Sequence, residues 1–514
     1  MKIRDLAVLI TCSAVFILLI MPIRGTVTDD TYIHLQYARN LAETGELSFN
    51  RGDPTYGATS PLWVFILAAV YRLGGDILVW SWVLSWGFGL ASVFLAYRFV
   101  LLLDGRTATA TAAALIMASE AWLLRWSAVG MESSFASFMV FLVLYVSMTA
   151  TRSAARSVLF GLTLFLAFLG RPEALLLAPL ALLVLLPARG VSFRNRVLWL
   201  VVYVPLLAVW LTVIKTHTGT FFPLTAGAKQ GSIILSPAVF MRALVPIKII
   251  GATMLIPSVL LFASLLLGLF RERSLLGILC GNGGPAAGSR HARSGMALIL
   301  LWIFALPAVY IIFDFQIISR YLLPVLPAIL VLGTRSFTGV TAAIQWGKRA
   351  KNTMLVVFTG IVVLQSVIFY SVVVITPTRE LSNGVRNVLV PMAEWLESNS
   401  DGEALVAAPD IGALGYVSKR RILDLGGLVT PEINRMRSSM DIERIITEGL
   451  FLKFGPDYLV DRSTELARFE SAVIRGVRYE EVMRGRVERL GIRKPQPVTY
   501  VLYRLLPAGS SRIP

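Results

Sequence analysis

Long apolar runs, nearly free of charge, alternate with short polar loops from the N-terminus to Thr376. The first, Leu6 to Ile23, is 18 residues without a charge, close to the ~20 residues an α-helix needs to cross hydrocarbon. Further runs lie near 77–103, 107–124, 135–151, 153–170, 174–188, 197–214, 249–270, 295–313, 321–337 and 354–376, so about eleven membrane helices are expected.

Two stretches depart from this pattern. In the loop from Arg24 to Asp76, DDTYIHLQYARNLAETGELSFN places Ile33, Tyr37 and Leu41 on one helical face. Gly45 is a natural stop, and the turn-rich RGDPTYGATSP follows. PLWVFILAAVYRLGG is apolar but too short to span, so residues 24–76 are expected to hold two interfacial helices. After Thr376 the composition turns polar: residues 377–514 carry 20 basic and 18 acidic residues. There VRNVLVPMAEWLESN and DIERIITEGLFLKF read as helices, and EALVAA, RRILDLGG, PDYLVD and PVTYVLYRLL as strands. The expected fold class is therefore an all-α polytopic membrane domain, 1–376, followed by a soluble α/β domain, 377–514.

Composition agrees: the 514 residues are 56% hydrophobic and 15% charged, with a mean hydropathy of +0.71, which excludes a soluble globule. The net charge of +17 need not mean nucleic acid, because its distribution follows topology. With the N-terminus inside, the cytoplasmic segments hold 16 basic residues against three acidic ones, while the opposite loops and span edges hold 11 and ten. This is the positive-inside bias. It puts a multi-pass protein in the plasma membrane, with its N-terminus cytoplasmic and its C-terminal domain extracytoplasmic. The two cysteines, Cys12 and Cys280, offer no disulfide framework, and His34, His217 and His291 are too scattered for a histidine-based metal cage.

The candidate chemistry gathers on the outer face. Asp29 and Asp30 stand where the first span emerges, a costly place for paired carboxylates. One of them, Asp30, could cap the following helix; capping does not account for both. Glu132 lies in GMESSF, Arg171 in GRPEALLL, His217 and Lys229 in KTHTGTFFPLTAGAKQG, and Arg320 in SRYLLPVLP, all at outer turns. Acids and cations around one membrane face suit the activation of a hydroxyl beside a lipid phosphate. Transfer of a sugar from a polyprenyl phosphate needs cations for the leaving phosphate and a carboxylate base for the acceptor hydroxyl. Asp29 is the expected base, with Asp30 or Glu132 orienting it or the acceptor. Lys229 and Arg320 are expected to hold the phosphate, with Arg171 and His217 as weaker candidates. No cofactor is required, although Asp29, Asp30 and Glu132 could form an oxygen-rich site for Mg²⁺ or Mn²⁺.

DDTYIHLQYARNLAETGELSFN followed by YGATSPLWVFILA resembles the first outer loop of the GT-C glycosyltransferases, in the branch of the mycobacterial terminal arabinofuranosyltransferases and relatives of the protein O-mannosyltransferases. GMESSF, GRPEALLL, FFPLTAGAKQ, SRYLLPVLPAIL and DIGALGYVSKRRILDLGGLVTPE resemble later segments of that branch, in the same order. The resemblance implies polyprenyl-phosphate sugar donors and a catalytic Asp at Asp29, with Asp30 beside it. It also implies functional positions at Glu132, Lys229 and Arg320. Two departures stand out: FFPLTAGAK lacks the Asn and aromatic residue that often precede the lysine, and there is no Trp-Trp-Asp signature of oligosaccharyltransferases. The expected function is single-sugar transfer to a glycan, lipid or protein hydroxyl in cell-envelope assembly. The rival, a lipid-linked-sugar flippase or transporter, would want ionisable groups near the bilayer midplane, where this chain has almost none. A ligand sensor would leave the Asp pair without a role.

Overall fold

The computed structural model describes residues 3–188, 192–224, 238–270, 290–464, 468–469 and 472–508. Among them, seven helices are long and apolar enough to cross a bilayer: Ile3–Ile23, Ile77–Asp104, Phe193–Thr218, Val239–Leu266, Ala292–Ile312, Ser319–Ala342 and Lys348–Asn399. The run expected as one span near 107–124 is instead two helices, Thr107–Ala118 and Ala121–Ala128, bent by 51°. The runs expected near 135–151, 153–170 and 174–188 form shorter helices, Ser133–Ser147, Ala154–Gly170 and Pro172–Leu185.

Lys348–Asn399 is continuous over 52 residues. At about 1.5 Å per residue it far exceeds the ~30 Å of hydrocarbon, so its second half projects beyond the membrane part. It widens into π-helical turns at Tyr370–Val374 and Val385–Leu389. Each lies just before a proline, Pro377 and Pro391. Proline lacks the N–H and crowds the carbonyl one turn back, and a wider turn relieves both.

The loop after the first span folds into the helix Asp29–Thr44, a small hairpin of β1 (Ser48–Asn50) with β2 (Asp53–Pro54), and the helix Pro61–Arg72. Gly45 ends the first helix with a φ of 78°. Its sequence is amphipathic, yet all ten residues from Thr31 to Asn40 are buried. Several polar side chains bond internally: Gln36 donates to the Phe49 carbonyl, Asn40 to those of Ser48 and Phe49, and Arg39 to that of Tyr416. The helix is enclosed because the C-terminal domain lies on it.

That domain is built on a mixed six-stranded sheet, in the order β4 (Arg421–Asp424), β3 (Leu405–Ala408), β5 (Tyr458–Ser463), β8 (Val498–Pro507), β7 (Val477–Val487) and β6 (Val473–Ile474). β3 runs parallel to β4 and β5, and the remaining pairs are antiparallel. The two-residue period of a strand sorts its side chains. Val406, Ala408, Val460, Tyr500 and Leu502 join the apolar core shared with the membrane helices. Ala407, Leu459, Val501 and Tyr503 face a separate core capped by Ile433, Ile445 and Phe451. The C-terminal domain is thus packed onto the membrane-capable helices through a common core.

Candidate active site

Thr28, not Asp30, occupies the N-cap of the loop helix. Its amide donates to the Thr31 hydroxyl at 3.2 Å, while that hydroxyl donates to the Val129 carbonyl at 2.8 Å. Capping is done by threonines, which leaves both carboxylates to other partners.

Those partners differ. Asp29 accepts from the backbone amides of Gly412 and Ala413, each at 2.8 Å, one on each oxygen. Burial, with the nearby Asp410 carboxylate, pushes the Asp29 carboxyl up to about 7; the two amides pull the other way. Asp30 pairs with the Arg320 guanidinium at 2.5 Å. Arg320 comes from the short helix Ser319–Leu322, and its guanidinium lies over Trp126 and Tyr321 at 5.8 and 5.2 Å.

Glu132 is brought in by the turn after Val129. Gly130 has a φ of 69°, and a Cβ there would meet the Ser81 hydroxyl at 2.5 Å, so glycine is needed. The buried Glu132 carboxylate lies 3.6 Å from Arg171 and 3.7 Å from His34. Arg171 also grips Glu173 with two bonds of 3.0 and 3.2 Å, and Tyr310 donates to Glu173 at 3.0 Å. His34 Nδ1 donates to the Asp30 carbonyl at 3.1 Å, which links the Glu132 group to the Asp pair.

Two cavities meet at Asp30, Gln316 and Arg320. The first, about 500 Å³, is mostly apolar; Leu175, Pro179, Leu306 and Val309 line it, with His34, Glu132, Arg171 and Glu173 at its polar end. The second, about 460 Å³, contains Asp29, Asp410, Arg125, Lys248, Arg462 and Tyr500, and reaches the exposed Arg493 and Lys494. Arg125 and Trp126 enter it because of the bend at Ser119–Glu120. The buried Glu120 carboxylate accepts from the Leu123 amide and starts the helix Ala121–Ala128 anew. Asp410 is held by Arg462 at 2.6 and 2.9 Å and by the Tyr500 hydroxyl at 2.7 Å. That carboxylate in turn holds the Arg462 guanidinium far above its ordinary pKa.

Of the expected residues, Asp29, Asp30 and Arg320 line one cavity, and Asp30, Glu132, Arg171 and Arg320 the other. His217 is exposed at the end of its helix and lines neither. Lys229 lies outside the described residues. Asp29, Asp30 and Glu132 do not converge into an oxygen cage, since each is taken by a different partner. Among the described residues there is no group of three or more His, Cys, Asp or Glu side chains arranged to hold a metal ion. His34, Arg125, Lys248, Asp410, Gly412 and Arg462 were not singled out for the site by the sequence reading. The segment DIGALGY, which holds two of them, was noted only for its resemblance.

The fold class expected from the sequence is the one observed, a bundle of membrane-capable helices followed by a strand-containing C-terminal domain. A search of curated proteins returns no match. A sequence-family model described as "Domain of unknown function (DUF8728)" matches residues 379–503. Solved structures share the fold. The archaeal oligosaccharyltransferase AglB from Archaeoglobus fulgidus, in complex with an inhibitory peptide and a dolichol-phosphate, aligns with a TM-score of 0.59 at 12% identity, over 89% of this chain and 69% of that one. ArnT from Cupriavidus metallidurans, bound to undecaprenyl phosphate, aligns with a TM-score of 0.54 at 13% identity, over 96% and 97% of the two chains. Identities this low establish a common fold and nothing finer.

Proposed function

We propose that this chain is a membrane glycosyltransferase that moves a single sugar from a polyprenyl-phosphate donor to an acceptor hydroxyl on the extracytoplasmic face. The anomeric centre is inverted, and the product belongs to cell-envelope glycan or glycoconjugate assembly. The carrying observation is the carboxylate pair and Arg320 at the junction of two cavities. Fold relatives solved with dolichol-phosphate and undecaprenyl phosphate support the donor class. The residues that resemble the arabinofuranosyl and O-mannosyl branch leave a pentose or a hexose as the sugar.

A single displacement needs the nucleophile and the leaving group on opposite faces of the anomeric carbon. Two cavities that meet at one ion pair support a reading in which donor and acceptor approach from different sides. The apolar cavity, walled by membrane helices, takes the isoprenoid chain of the donor. Its phosphate lies at Arg320 and Arg171, with Lys229 a further candidate. The acceptor enters by the basic cavity and gives its hydroxyl proton to Asp29 as its oxygen bonds to the anomeric carbon. The electron pair of the breaking C–O bond stays on the phosphate, whose charge Arg320 stabilises. Asp30 fixes Arg320, and Glu132 fixes Arg171. No step is routed through a metal ion.

The test is sugar transfer from a radiolabelled polyprenyl-phosphate sugar by membranes carrying the wild-type chain or Asp29→Asn. Loss of a positioned base lowers the rate by about 10²–10⁴-fold. Full transfer by Asp29→Asn overturns the proposal. So does a wild-type chain that translocates the lipid-linked sugar without transferring it.

A further inference from the structure

Asp29 is separated from the amides that hold it by more than 380 residues of chain. Those amides belong to the segment matched only as a domain of unknown function. The contact is close. A Cβ on Gly412 would fall 1.9 Å from the Asp29 carbonyl oxygen and 3.1 Å from its carboxyl carbon. No side chain fits there without moving one backbone away from the other.

The same domain is fastened to the loop at other points. Arg39 donates to the Tyr416 carbonyl at 2.8 Å, and its guanidinium lies 4.7 Å from the Tyr416 ring centroid. Asn50 exchanges two hydrogen bonds with the backbone of Ile422, at 3.0 and 2.9 Å. These contacts do not involve residue 412, so docking of the domain and the grip on Asp29 are separable.

We infer that the outer domain is a working half of the catalytic site. The Gly412 and Ala413 amides position the Asp29 carboxylate toward the acceptor cavity, and Asp410 sets the field around it. The inference rests on the reading of Asp29 as the base. Two amide donors fix both carboxylate oxygens in one orientation while leaving each a lone pair for a substrate proton. The domain therefore does more than cover the site: without it the base has no fixed direction.

Several charged or titratable groups act on Asp29 or line its cavity. Asp30 and Tyr32 come from its own helix, and Arg320, Arg125 and Lys248 from the membrane helices. Asp410, with Arg462 and Tyr500 bound to it, comes from the outer domain, as do Arg493 and Lys494. The two outer-domain effects have opposite signs. The amides favour the charged carboxylate, whereas the Asp410 charge disfavours it.

The experiment compares Gly412→Ala, Asp410→Asn and the control Gly402→Ala in the purified full-length chain, across pH. Gly402 has open space where a Cβ would go. Gly412→Ala is expected to lower kcat by about 10–100-fold, as for a misplaced catalytic group, with donor KM nearly unchanged. Its acidic limb of kcat moves to higher pH. Asp410→Asn moves the same limb to lower pH by about one unit, and Gly402→Ala behaves as wild type. A Gly412→Ala enzyme with wild-type kcat and an unmoved limb overturns the inference.

A second measurement needs no activity. Amide hydrogen exchange over residues 409–416 is expected to be slow in the wild type and faster in Asp29→Ala. Equal exchange in both removes the clamp. If the wild type transfers no sugar, the proposed function fails, and exchange still decides whether the domain holds Asp29.

Discussion

The two cavities on either side of the Asp30–Arg320 pair share three residues but differ in charge and wall. Among the described residues, the Glu132 side holds two guanidiniums against three carboxylates, and its surface is largely leucine, proline and valine from membrane helices. The Asp29 side holds six cations against three carboxylates. Through Arg462, Arg493 and Lys494 it continues into further grooves bordered by Arg242, Arg437 and Arg468. An apolar cavity suits a hydrocarbon chain, and a wet, basic one suits a hydrophilic acceptor. Under the proposed function the difference puts the donor on the Glu132 side and the acceptor on the Asp29 side, with Arg320 between them.

The sharpest way to break that comparison is Arg320→Gln. It removes a cation from both cavities and breaks the Asp30–Arg320 ion pair. The kcat is expected to fall by about 10²–10³-fold, in the range for losing a group that stabilises developing charge. Arg320→Lys should recover only part, since a point charge cannot both pair with Asp30 and fork toward a phosphate. Steady-state kinetics with both substrates varied would check it. A change confined to one substrate's KM would place Arg320 in one cavity alone.

The pH profile comes next in size. Asp29 sits near pKa 7 because it is desolvated and faces Asp410. A base works when deprotonated, so kcat should hold above neutrality and decline as pH falls through about 7. Well below that value the decline approaches about tenfold per pH unit. A profile flat down to pH 5 would take the base role from Asp29.

Glu132→Gln tests the apolar side. It takes the second carboxylate from Arg171 and leaves Glu173 in place. Arg171 stays buried but loses part of its fixed aim, so donor KM should rise about tenfold, a loss of about 1.4 kcal/mol. Acceptor KM should change little.

How much of this was legible in the sequence follows from where each interaction runs. The Asp pair stood out because it lies just beyond the first uncharged run, and Glu132, Arg171 and Arg320 because each sits at a turn between apolar segments. Exposed His217 looked the same in sequence, since turn position does not tell whether a side chain points into a cavity or into solvent. The break at Glu120 was hidden inside one apolar run, where a single carboxylate restarts the helix. Strand β7 went unread because VRYEEVMRGRV is charged and its alternation slips at a bulge between Glu481 and Met483. Least visible was the hold on Asp29. Backbone amides carry no side-chain signature, and Gly412 matters only for what its missing Cβ allows.

The smallest expected effect addresses the basic side. Arg493 and Lys494 are exposed, and Arg493 donates to the Ile317 carbonyl beside the junction. Exposed charges act through screened fields with a reach of ~8–10 Å at physiological salt, so they steer and weakly bind rather than catalyse. The double variant Arg493→Gln, Lys494→Gln should therefore raise acceptor KM by about three- to fivefold at low ionic strength, and by less as salt is added. Donor KM and kcat should stay at wild-type values, because Arg171 and Arg320 are untouched. Measuring both KM values at two salt concentrations decides the matter. If donor KM responds instead, the phosphate lies on the basic side, the two substrates exchange cavities, and Asp29 then borders the donor rather than the acceptor.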